Sequence, residues 1–80
     1  MPDTQHLWDR PLTISLDGQT RIISGPAEAR RILLLEWPAD PTDKHKAASD
    51  TCLDAMEGAA AEPSWVAFME VAIEAGIFVE

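Results

Sequence analysis

The side chains of this 80-residue chain that could do chemistry are few: one cysteine, two histidines and fourteen carboxylates. A thiol nucleophile needs a base within hydrogen-bond reach. His45 and Cys52 stand seven positions apart, so on a helix they share a face but lie about 10 Å apart along its axis. That spacing excludes direct proton transfer between them. Cys52 falls among small apolar residues at helical spacing, where a thiol packs as a small hydrophobe and burial raises its pKa. It reads as core.

Asp40 and Asp43 lie near His45, but two carboxylates and one imidazole in a proline-bearing loop match no recognised ligand spacing. His6 stands alone. No metal and no organic cofactor is expected. Asp50, Asp54 and Glu57 follow at i, i+4 and i+7, and Glu70 and Glu74 repeat that interval. A general acid needs a carboxyl whose pKa is raised by burial, whereas these positions lie opposite the apolar ones. They read as solvated helix faces, or as a docking stripe for a basic partner. Gly18, Gly25, Gly58 and Gly76 are dispersed at turn and cap positions and form no phosphate cradle. Arg30-Arg31 is the one adjacent basic pair, and it sits inside a helix near Glu28. The chain is not expected to be an enzyme.

The elements that position these residues follow from local pattern. Residues 1–7 form a flexible leader, and residues 8–80 a single α+β domain. Leu12 to Leu16 alternates apolar and polar, as a half-buried strand does. Asp17-Gly18 is a hairpin signal, because glycine accepts positive φ without steric cost. Thr20 to Ile23 returns. A two-residue turn sets Ile14 opposite Arg21; a longer loop sets it opposite Ile22.

Ser24 or Gly25 caps a first helix opened by Pro26. Ala29, Ile32 and Leu33 form its apolar face, with Leu34 and Leu35 broadening it, and Pro38 ends it near Glu36. Asp43 caps a second helix that runs to about Glu57 and stops at Gly58. Its apolar stripe is Ala48, Cys52, Ala55, Met56 and Ala59, helped by Leu53; residues this small predict close approach of a neighbouring helix. A third helix begins at Glu62-Pro63-Ser64 and buries Trp65, Phe68, Met69, Ala72 and Ile73, and Gly76 stops it. Ile77 to Val79 makes a short strand that can join the hairpin. The predicted fold is therefore a β-hairpin, three helices and a short C-terminal strand, the helices packed on one face of a small antiparallel sheet.

A domain of this length buries only about 60–65% of the surface its unfolded chain exposes, so the core is thin. One cysteine cannot make an internal disulfide, so stability must come from apolar packing, helped by a second copy of the chain if it dimerises. Formal net charge is −8, a field that repels phosphate backbones and anionic bilayers. Neither nucleic acid nor membrane is expected as a partner. The first six residues carry no basic stretch leading into an apolar one, and no apolar run spans a bilayer. The expected location is the cytoplasm.

The tryptophans divide. Trp65 fits the core of the third helix. Trp8 and Trp37 sit at element boundaries, where a large ring closes a small core or stands out as an anchor for a partner.

The order Trp8-Asp9-Arg10-Pro11, Asp17-Gly18, Ala29 to Trp37-Pro38, Ala48-x-x-x-Cys52, Gly58, and Ala67-Phe68 to Glu74-Ala75-Gly76-Ile77 resembles a small alphaproteobacterial family. It is the one called domain of unknown function 982, common in rhizobia. The resemblance runs from about Trp8 to Val79. It implies an intracellular α+β protein and brings no activity, cofactor or catalytic residue. Trp65 departs from it, standing where relatives often carry a basic residue.

The reading is a non-enzymatic interaction or regulatory module, self-associating or bound to a protein partner. Its candidate partner surface is Trp8, Trp37, Asp50, Asp54 and Glu57. The alternative is a small-ligand binder or minor enzyme with a pocket near Trp37, Arg30 and His45.

Overall fold

The computed structural model describes residues 7–79. Strand β1 (Leu12–Leu16) and strand β2 (Gln19–Ile23) form the hairpin. Asp17 and Gly18 both take positive φ, 52° and 79°, the mirror-image turn whose twist suits two antiparallel strands. That turn fixes the register: Ile14 lies opposite Arg21, and Leu12 opposite Ile23. Leu12, Ile14 and Leu16 point into the core, while Thr13 and Ser15 point away from it.

Helix α1 spans Pro26–Leu35, with Gly25 in extended backbone at its N-cap. The Ser24 N–H donates to Glu28 Oε1 at 3.3 Å, closing the first turn. Ala29, Ile32 and Leu33 are buried as expected. Leu34 and Leu35 are not: they are 52% and 72% exposed. Helix α2 spans Asp43–Met56, and its cap is Thr42 rather than Asp43. The Thr42 hydroxyl accepts the His45 N–H at 3.2 Å, and Asp43 adds its charge to the positive end of the helix. Ala48, Cys52 and Ala55 are buried, joined by His45 and Ser49, while Met56 and Ala59 stay exposed. These small side chains let α2 lie between α1 and α3 and pack against both.

Helix α3 spans Glu62–Glu74. Its buried residues are Ser64, Phe68, Val71 and Ala72. Trp65 and Met69 are half-buried and Ile73 is 55% exposed, so the buried face is turned from the expected one toward Ser64 and Val71. The helix closes on Gly76, whose φ is 75°. Gly76 N–H donates to the Ile73 carbonyl and Ile77 N–H to the Ala72 carbonyl, each at 3.0 Å. Those two bonds satisfy carbonyls the helix end would otherwise leave open. Strand β3 (Phe78–Val79) then pairs antiparallel with β1, and the sheet order is β2-β1-β3. The α+β architecture of hairpin, three helices and short final strand matches the pattern in the sequence.

Candidate functional site

Phe68 is fully buried at the centre of an aromatic row. The rings of Trp8 and Trp37 lie 5.9 Å from it on either contact, and His45 lies 5.8 Å beyond Trp37. Trp8 is 7% exposed. Its indole N–H donates to Ser64 Oγ at 2.9 Å, and its backbone N–H donates to the Ser24 carbonyl at 2.9 Å. Trp8 is therefore a core residue pinned to α3 and to the end of β2, and it presents no anchor to a partner. Trp37 is half-buried and packed on the core. Asp50, Asp54 and Glu57 are exposed on α2. Lys46 pairs with Asp50 at 3.0 Å, which partly offsets the acidic stripe. Asp50, Asp54 and Glu57 thus keep their exposed stripe on α2, while Trp8 and Trp37 are taken up in core packing.

The reactive groups are spent on structure. Cys52 is buried, and that burial pushes its thiol up to about 12, with the Arg30 guanidinium nearby pulling the other way. His45 Nε2–H donates to the Leu33 carbonyl at 2.8 Å, satisfying one of the open carbonyls in the last turn of α1. Among the described residues, no three His, Cys, Asp or Glu side chains gather to hold a metal ion. His6 lies outside the described residues.

A cleft of about 570 Å3 lies away from the Trp37–His45 contact, where a pocket was expected. It runs between the segment preceding β1 and the start of α3, lined by Leu7, Trp8, Asp9, Arg10, Ala60, Ala61, Glu62 and Trp65. The Arg10 guanidinium stacks 4.9 Å from the centre of the Trp65 ring. One cation beside two carboxylates favours no charge class of ligand.

The exposed apolar residues that sequence reasoning missed are Leu34 and Leu35 at the end of α1, with Ile22 on β2. Ile22, Leu34 and Leu35 are 62%, 52% and 72% exposed. Arg21 pairs with Glu36 at 3.1 Å, tying the middle of β2 to the end of α1; Ile22 lies opposite Thr13, on the sheet face turned away from the helices and apart from Leu34 and Leu35. The sequence signal was the unbroken run Ile32-Leu33-Leu34-Leu35, longer than one helix face can bury.

The model of the protein family of unknown function DUF982 covers residues 10–79, and the chain belongs to that family. No curated protein and no solved structure matches it. Among the described residues, no helix is long and apolar enough to cross a membrane.

Proposed function

We propose that this chain is a non-enzymatic protein-interaction module whose contact surface is the exposed end of α1 at Leu34 and Leu35. The observation that carries the reading is the exposure of the adjacent Leu34 and Leu35 at the end of α1. Burying one such side chain is worth about 1.5–3 kcal/mol, a large fraction of the stability of a thin-cored domain. A fold that leaves two adjacent leucines in water has something to gain from covering them. A net charge of −8 repels a phosphate backbone and so supports a protein partner. Engagement of His45 in a helix cap and of Cys52 in the core supports a role without catalysis. A buried free thiol suits the reducing cytoplasm.

Photo-crosslinking tests this reading. Benzoylphenylalanine placed at Leu35 is expected to give discrete protein adducts in the cell, and the same group at Asp50 few or none. Equal adducts from both positions, or none from Leu35, would overturn it.

A further inference from the structure

The cleft between the segment preceding β1 and the start of α3 is lined by no residue of α1, so it is separate from the contact surface at Leu34 and Leu35. Its volume, about 570 Å3, falls inside the range of ~300–1,000 Å3 typical of small-molecule sites. Leu7, Ala60, Ala61 and Trp65 give it apolar walls, and Asp9, Arg10 and Glu62 bring charge to it.

Those three charged side chains are exposed. Among the described residues none of them belongs to an ion pair; the pairs found there join Arg21 to Glu36 and Lys46 to Asp50. Arg10 instead lays its guanidinium over Trp65, 4.9 Å from the ring centre, a contact that is weak at an exposed site. Glu62 lies three positions before Trp65 on α3, a spacing that puts both on one side of the helix. The Trp65 indole N–H is buried without an acceptor. Packing and the Arg10 stack, rather than a hydrogen bond, hold that ring.

A simple anion in the cleft would meet two carboxylates, and a simple cation would meet the guanidinium. A molecule carrying both signs satisfies the whole set. Its carboxylate takes the two parallel N–H bonds that a guanidinium offers. Its ammonium, a donor of three hydrogen bonds, meets Asp9 and Glu62. An apolar group against Trp65, Leu7 and the two alanines then leaves water. We propose that the cleft is a binding site for such a zwitterion, a free α-amino acid with a large apolar side chain. This site is independent of the protein-interaction reading above.

The test is titration of the full chain with L-leucine, followed in NMR spectra by the backbone amides of residues 7–10 and 60–62 and by the Trp65 indole N–H. Two probes isolate the charges: N-acetyl-leucine lacks the ammonium, and leucinamide lacks the carboxylate. Leucine is expected to shift these resonances saturably. Each capped probe should bind ~10-fold or more weakly, because each loses charge-assisted hydrogen bonds. Arg10→Gln should weaken leucine to a similar degree and leave leucinamide unaffected, whereas Glu62→Gln should weaken both. Both positions are exposed, so the circular dichroism of either variant should match that of the native chain. No saturable shift at millimolar leucine would overturn the site. Equal binding of leucine and either capped probe would overturn the zwitterion as its ligand. Neither result bears on crosslinks from Leu35, so the interaction reading stands or falls separately.

Discussion

Replacing Ser64 with alanine should destabilise the domain far more than its size suggests. Ser64 is fully buried, and its hydroxyl accepts the indole N–H of Trp8, itself only 7% exposed. The same hydroxyl donates to the Ala61 carbonyl at the start of α3. Ser64→Ala leaves the Trp8 donor where water does not reach, and an unpaired buried donor costs about 1–3 kcal/mol. In a domain of this size each kcal/mol moves Tm by about 4–8 °C, so the fall should be roughly 4–24 °C. Trp8→Phe keeps a ring against Phe68 but has no N–H to strand. In that background Ser64→Ala should cost much less, with a coupling of about 1 kcal/mol between the two sites. Urea unfolding followed by far-ultraviolet circular dichroism gives all four corners of the cycle without relying on tryptophan emission. Additivity within ~0.5 kcal/mol would refute the claim that this bond fastens the N-terminal segment to α3.

Three further outcomes are expected. The thiol of Cys52 titrates near 9.0 when free and is pushed up to about 12 in the fold. The folded state therefore holds its proton more tightly than the unfolded chain. The resulting stability is fully present below about pH 9 and is lost as pH rises toward 12. Urea midpoints at pH 8, 10 and 11 should fall in the native chain and fall less in Cys52→Ala; equal slopes would contradict this, and there is no tyrosine to titrate in that window. His45→Ala removes both the donor to the Leu33 carbonyl and the ring against Trp37, and should cost about 2 kcal/mol by urea unfolding. Gly76→Ala forces a side chain into a φ of 75°; it should cost about 1 kcal/mol, and a neutral result would show that the end of α3 relaxes.

The hairpin was legible because Asp17-Gly18 states its own turn. Its register was open only until both residues were seen at positive φ, which selects the two-residue turn. The ends of α2 and α3 were legible for the same kind of reason, glycine just past the last apolar position. The faces of the helices were harder to read. Residues 66–69 and 71–73 of α3 are all apolar, so periodicity alone cannot choose a side. The choice is made by Ser64, a polar residue drawn inward to meet Trp8 from 56 positions away. No local pattern encodes that bond. The run ending in Leu34 and Leu35 hid the contact face in the same way: the apolar residues were visible, but which of them the core had room for was not. The acidic stripe on α2, by contrast, lies where its spacing placed it.

The central claim is that Leu34 and Leu35 serve contact rather than folding, and one paired measurement separates the two. The double variant Leu34→Ser, Leu35→Ser is examined by urea unfolding at low concentration and by sedimentation velocity at high concentration, beside the native chain. Unfolding free energy within ~0.5 kcal/mol of the native value, together with weakened association, is the predicted result. A loss of more than ~2 kcal/mol of stability, with association unchanged, would show that these leucines belong to the core and would contradict the account.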